Sequence, residues 1–168
     1  MLIELNCDQI LEFKETQAEN IEQIKAIESE NAHFICPYSM DEHMFVLKSE
    51  NEKHISIFEK EEELVGFIIL KNIKNRHKNL EFRRIVISKK GLGYGHESLR
   101  WLKKYCFEDL KFHRLWFDVF TDNERGIHLY KSEGFYREGI LSESIWRDGK
   151  YRSLFLYSML ESEYFSTR

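Results

Sequence analysis

The sequence predicts an α/β fold: a mixed, mostly antiparallel sheet flanked by helices. Three observations carry that expectation. Strand-patterned and helix-patterned segments alternate through the middle of the chain, as crossover units on a sheet do. β-rich runs lie in pairs on either side of that middle, at residues 54–69 and 135–160, and such pairs read as antiparallel hairpins. Pro37 is the only proline and no Gly/Ser-rich linker divides the 168 residues, so one domain over residues 1–168 is expected.

Residues 2–5 are a short apolar strand candidate. Residues 16–31 read as a helix, because Ile21, Ile24 and Ile27 recur at spacings of three on one face. A second helix starts near Ser39, where Ser39-Met40-Asp41-Glu42 offers a cap followed by acids. Residues 54–59 and 65–69 alternate apolar with polar, the second within a more apolar run, and residues 61–63 between them form the turn. Residues 80–88 are the next strand, ending at a glycine-rich loop. Residues 96–110 place Leu99, Leu102, Cys106 and Leu110 along one helical stripe. Residues 115–121 carry the β-favouring Trp116, Phe117, Val119 and Phe120. A helix follows Asn123 and closes at Gly134. Residues 135–146 and 151–160 flank Arg147-Asp148-Gly149-Lys150, and an Asp-Gly pair between β-rich runs is a strong hairpin signal.

Composition narrows the function classes. Hydrophobic residues make up 42% and charged residues 32% of the chain, which excludes disorder. The formal net charge of -4 and the absence of a basic stripe with interleaved aromatics argue against nucleic acid as a partner. No apolar run approaches the roughly 20 residues of a membrane span, and the N-terminus lacks a basic-then-apolar signal pattern, so neither a membrane partner nor export is expected. A cytoplasmic location is the simplest expectation. Cys7, Cys36 and Cys106 are sparse and odd in number, and read as buried free thiols. The seven histidines show no metal-ligand spacing and read as unrelated surface or core residues; no metal is expected.

The chemistry-bearing signal is an ordered pair of motifs. Lys90-Gly91-Leu92-Gly93-Tyr94-Gly95 follows a strand and opens a helix, which offers loosened backbone amides to an anion. A dinucleotide fingerprint fails, since His96 or Ser98 stands where its third glycine belongs, and no phosphate loop ending in Gly-Lys-Ser/Thr occurs. The second motif, Asn123 to Phe135, places Tyr130 seven residues after Asn123, two turns on and on the same face. By itself Tyr130 would be a packed aromatic, and Glu81 a solvated or arginine-paired strand acid. Together the two motifs resemble the acyl-CoA signature of the GNAT acetyltransferase superfamily, over roughly residues 65–160. Within it the C-terminal portion resembles the branch of ribosomal-protein N-terminal and polyamine acetyltransferases. Lys90 stands where arginine or glutamine is usual, and Gly126 where alanine is common.

The resemblance implies middle strands that splay apart, with acetyl-CoA as co-substrate in the gap between residues 80–88 and 115–121. Backbone groups of Val86 and Ile87 would pair with pantetheine. Lys90 and the amides of Leu92, Gly93, Tyr94, Gly95, His96, Glu97 and Ser98 would surround the pyrophosphate, and Asn123 would hold the pantetheine arm. Tyr130 would protonate or hydrogen-bond the leaving thiolate. Glu81, at the place of the glutamate base of the histone-acetylating branch, would deprotonate the amine. Strand alternation puts Glu81, Arg83 and Ile85 on one face, with Arg84 and Val86 on the other. The acceptor would be a primary amine, either a protein N-terminus or a small polyamine-like molecule, attracted by acids such as Glu28, Glu30, Glu138 and Glu143. Transfer would be direct, with no acyl-enzyme; Cys106 lies in an apolar stripe. A homodimer is one expected assembly. A non-catalytic acyl-CoA-binding sensor on the same fold is the alternative.

Overall fold

The computed structural model describes residues 10–60 and 63–167. The strand expected at residues 2–5 and the turn at residues 61 and 62 therefore lie outside the described residues. The described chain opens with β1 (Leu11–Glu15), then α1 (Ile21–Glu30) and α2 (Met40–Lys48). β2 (Glu52–Glu59), β3 (Leu64–Lys71) and β4 (Asn79–Ile87) follow, then α3 (Tyr94–Lys104), β5 (Arg114–Phe120) and α4 (Glu124–Ser132). β6 (Tyr136–Arg147), β7 (Lys150–Leu160) and α5 (Glu161–Ser166) complete it.

The seven strands form one sheet in the order β1-β2-β3-β4-β5-β7-β6. Every neighbouring pair is antiparallel except β4 and β5. Those two run parallel and pair only from Asn79↔Arg114 to Glu81↔Trp116, after which the ladder stops. Among the described residues no strand pairs with the rest of β4 on that side, and this divergence makes room for a site.

Each face of the sheet carries its own core. Ile21, Ile24 and Ile27 of α1 and Val46 of α2 pack on Leu64, Phe67, Ile69 and Val86. Leu99 and Leu102 of α3, Tyr130 of α4 and Tyr164 of α5 pack on Val65, Ile68, Leu80, Phe82 and Phe117. Covered on both faces, β3 buries its residues in one run from Leu64 to Leu70, so its pattern is continuous instead of alternating.

Several elements form for the reasons read from sequence. Ser39 caps α2: its Oγ accepts from the Glu42 amide at 3.1 Å, and the Glu42 carboxylate accepts from the Ser39 amide at 2.6 Å. Asp148 and Gly149 both adopt positive φ, 51° and 76°, the requirement of a two-residue hairpin turn that suits asparagine, aspartate and glycine. The Phe135 amide reaches back to the Tyr130 carbonyl at 3.1 Å, closing α4 at Gly134.

Other expectations are corrected. The helix at residues 16–31 begins later, after a 3-10 turn at Ala18–Asn20, because Thr16 is buried and its Oγ1 is bonded to His54 and Ser56. Leu11–Glu15 alternates apolar with charged residues over only five positions, and its pairing with β2 makes it a strand that the sequence reading missed. Face assignment along β4 also changes. Ile69 pairs with Arg84 but Leu70 pairs with Phe82, so Arg83 is an extra, bulged residue. Side-chain parity therefore flips across it. Phe82 and Ile85 both pack into the α3 side, whereas Arg84 and Val86 lie on the α1 side. Glu81 alternates with Phe82 and so shares the α1 face with Arg84, not with Ile85.

Candidate active site

Past Glu81 the separating β4 and β5 enclose a cavity of about 690 Å³. One wall is the unpaired side of β4, where Val86 and Ile87 line the space. The opposite wall is Phe117 to Phe120 of β5. Backbone crowding fixes the first wall: a Cβ on Gly66 of β3 would lie 2.3 Å from the Val86 carbonyl oxygen, so only glycine admits this register.

At one end the cavity meets the start of α3. Gly93 caps that helix at φ 79°, a left-handed conformation that glycine adopts without penalty. The Glu97 amide already donates to the Gly93 carbonyl at 3.1 Å. The amides left free by helix geometry are therefore those of Tyr94, Gly95 and His96, all of which line the cavity together with Lys90, Gly91 and Gly93. This corrects the expectation for three positions. Leu92 is exposed and outside the lining. Ser98 is fully buried, and its amide lies within the hydrogen-bonded part of the helix. Glu97 instead ties β1 to α3, its carboxylate accepting from the Ile10 and Leu11 amides at 3.0 and 2.8 Å.

Side chains around this end are themselves tethered. Lys90 donates to Asn31 Oδ1 at 2.8 Å and to the Ile87 carbonyl, joining the loop to α1. Burial, aided by the charge of Arg125, moves its ammonium below the usual lysine range. The His96 ring bonds Glu133 at 2.6 Å. Asn123 lines the cavity and caps α4, its Oδ1 accepting from the Gly126 amide at 3.0 Å. A Cβ on Gly126 would approach that carboxamide to 2.7 Å, so glycine at this position leaves the cap undisturbed.

Tyr130 reaches the cavity from α4 and is 9% exposed. Phe82, Phe117, Phe135 and Tyr157 surround its ring, with Phe117 nearest at 4.4 Å between centroids. Burial, reinforced by the charge of Asp118, holds its hydroxyl above the usual tyrosine range, so the group keeps its proton. Glu81 sits where the β4–β5 ladder ends but does not line the cavity. Arg83 lies 3.4 Å from it. Burial raises the Glu81 carboxyl, against the opposing charges of Arg83 and Lys71.

Sequence reading missed several residues here. Asp118 lines the cavity on the β5 face opposite Phe117; the signal was an acid interrupting an otherwise β-favouring run. Cys36 is exposed and also lines the cavity, because the loop joining α1 to α2 folds over it; this corrects the expectation of a buried thiol. Cys106 is buried as expected, and burial pushes its thiol up; Cys7 lies outside the described residues. Of the four acids expected to attract an amine, only Glu30 lines the cavity. Glu28 is 1% exposed and accepts from Arg84 at 2.5 Å and from the Tyr38 amide, and it bonds His43 at 2.9 Å. Glu138 is engaged by Arg114 and Ser158, and Glu143 is exposed on β6 away from the lining. His43 and His54 are not unrelated, since their rings are 3.1 Å apart in the same buried chain, which continues to Thr16 and Ser56. Among the described residues, no group of three or more His, Cys, Asp or Glu is placed to hold a metal ion. No helix there is long and apolar enough to cross a membrane.

A sheet opened between β4 and β5, amides at the head of α3, and a buried tyrosine facing the gap define an acyl-CoA transferase architecture. Residues 16–135 match the Acetyltransferase (GNAT) family, and the chain belongs to that family. It is similar to the spermidine N(1)-acetyltransferase of Vibrio cholerae serotype O1, 28% identical over 107 residues, covering 63% of this chain and 62% of that one. The Escherichia coli K12 spermidine N(1)-acetyltransferase is also 28% identical over 107 residues, 58% of its length. The alignment thus spans about three fifths of these curated relatives. Among solved structures, the Vibrio cholerae spermidine N-acetyltransferase in complex with CoA and spermine superposes at a TM-score of 0.83 and 23% identity, covering 92% of this chain and 98% of that one. A dodecameric structure of the enzyme from the same organism gives 0.81 at 24% identity, with coverage of 94% and 97%. These likenesses support the fold.

Proposed function

We propose that this protein transfers the acetyl group of acetyl-CoA to a primary amine, and that the amine is a small cation of the polyamine type. The observation that carries this reading is the divergence of β4 and β5 beyond Glu81, which leaves a strand edge, free helix-N-terminal amides and Tyr130 facing one cavity. Pantetheine would add to the edge at Val86 and Ile87 like a further strand. The pyrophosphate would meet the amides of Tyr94, Gly95 and His96, where the helix dipole favours an anion.

The amine enters from the side roofed by the α1–α2 loop. Glu81 removes its proton through water, since an ammonium has no lone pair. The nitrogen then attacks the thioester carbonyl directly and releases a second proton to solvent, and Tyr130 gives its proton to the departing thiolate. The names of the relatives, which act on spermidine, favour a polyamine over a protein N-terminus. The test is acetyl-CoA consumption with spermidine, spermine and a peptide bearing a free N-terminus. Turnover with the polyamines at lower KM than with the peptide is expected. Consumption of acetyl-CoA with none of them would remove the reading.

A further inference from the structure

Only two carboxylates, Glu30 and Asp118, line the cavity among the described residues. Glu30 is exposed at the end of α1. Asp118 is half-buried on β5, two residues past the last β4–β5 pair. It shares its face with Phe120, which packs under the Arg152 guanidinium. Three arginines of this sheet are already engaged by other acids. Arg83 is held by Glu81 at 3.4 Å, Arg84 by Glu28 at 2.5 Å and Arg152 by Asp122 at 2.7 Å. The Asp118 carboxylate has no hydrogen-bond or ion-pair partner among the described residues. A partly desolvated carboxylate without a partner is costly, and a cation of the right shape would relieve that cost. Burial raises its carboxyl, with the Arg83 charge opposing.

We propose that Asp118 is the anchor for the acceptor's ammonium, accepting N–H bonds from the reacting nitrogen and holding it beside Tyr130, opposite the free edge of β4. This rests on the amine-acetylation reading above and deepens it, because it makes Asp118 the residue that selects a cationic acceptor. Glu81 cannot serve that purpose: it faces Arg83 and lies outside the lining. In the reaction one N–H proton leaves through water to Glu81. The freed electron pair forms the N–C bond, a second N–H proton passes to solvent as the adduct collapses, the C–S bond breaks, and the thiolate takes the Tyr130 proton, which solvent restores. Asp118 keeps its contact to the one N–H that the amide retains and exchanges no proton.

The wild type, Asp118→Asn and Asp118→Glu are compared in two assays: steady-state acetylation of spermidine, and calorimetric binding of spermidine to the CoA-loaded protein. Asp118→Asn should raise both the spermidine KM and the dissociation constant by about 10- to 100-fold, the scale of a charge-assisted hydrogen bond. Its kcat and acetyl-CoA KM should stay within about threefold. Asp118→Glu, which keeps the charge, should recover most of the loss. Unchanged spermidine KM and affinity in Asp118→Asn would overturn the anchor while leaving the acetyltransferase reading intact. A loss confined to kcat would also overturn it, by making Asp118 a proton-transfer group. A wild type that neither binds nor acetylates spermidine, yet acetylates the peptide with Asp118→Asn indistinguishable, would refute the anchor and the polyamine part of the reading while leaving acetyl transfer to an amine. A wild type that acetylates no amine and binds no spermidine would refute both.

Discussion

Tyr130 keeps its proton because four aromatic rings exclude water from it and Asp118 adds negative charge nearby. Its hydroxyl is therefore a donor at neutral pH. Tyr130→Phe preserves the ring packing and should lower kcat by about 10- to 1000-fold with little change in acetyl-CoA affinity, as measured by single-turnover acetylation. Glu81 is raised by burial, which brings a base closer to neutrality. Activity should rise with pH as the base and the amine lose protons. In Glu81→Gln the rate near pH 7 should fall by about 10²-fold with that limb moved upward; an unaltered pH profile would reduce Glu81 to the partner of Arg83. The loop glycines act differently from each other. Gly93 has open space where a Cβ would go but sits at φ 79°, so Gly93→Val is strained by its backbone. Gly95 has ordinary φ, but a Cβ there would lie 2.9 Å from a Leu129 methyl, so a valine must displace that side chain at the head of α3. Both should weaken acetyl-CoA binding in a thermal-shift titration.

At the level of elements, a buried polar chain joins the first helices to the sheet. Arg84 of β4, Glu28 of α1, His43 of α2 and His54 of β2 are bonded in series, all with little exposure. Removing one charge of such a pair leaves the other uncompensated, which typically costs about 3–5 kcal/mol. Glu28→Gln should accordingly lower the melting temperature by roughly 10 °C, a shift calorimetry would detect. His54 gives the chain a pH signature. Burial first, then the charges of His43 and Arg84, depress its pKa from 6.5 to about 3. The unfolded chain therefore binds a proton there that the folded one refuses. Stability conferred by the neutral ring is fully present above pH 6.5 and is lost as pH falls toward about 3. Urea midpoints should decline from pH 6.5 downward, before the carboxylates titrate, and His54→Asn should flatten that early decline. A wild-type midpoint constant down to pH 5 would contradict the assignment.

For the whole molecule, ligand binding and stability are linked. The cavity is walled by β4, β5, α3, α4 and the α1–α2 loop, so a ligand filling it bridges both cores. Acetyl-CoA at 100 times its dissociation constant should add about 2.7 kcal/mol to stability by mass action. A rise in melting temperature with acetyl-CoA and none with NADH or ATP is expected, because the loop lacks the third glycine of a dinucleotide fingerprint and the lysine of a phosphate loop. Stabilisation by NADH alone would contradict the assignment of the α3 N-terminus.

What the sequence determined by itself was local and periodic. The three-residue spacing of Ile21, Ile24 and Ile27 predicted a helix face, Ser39 and Glu42 predicted a cap, and Asp148-Gly149 predicted a turn. Each is settled by neighbours within a few residues, where propensity and hydrogen bonding act directly. The motif pair likewise marked the α3 loop and Tyr130, because both depend on short-range spacing. Tertiary structure decided what depends on distant partners. The bulge at Arg83 arises from pairing with β3 and reverses the faces of β4, so alternation counted from Glu81 could not follow it. Glu28 read as an acid that attracts the amine, but Arg84, 56 residues away, engages it inside the core. Asp118 carried no reading in sequence; the separation of β4 and β5 is what leaves its carboxylate facing the cavity. A charge's role follows from what desolvates and pairs it, and in this chain those partners come from other strands and helices.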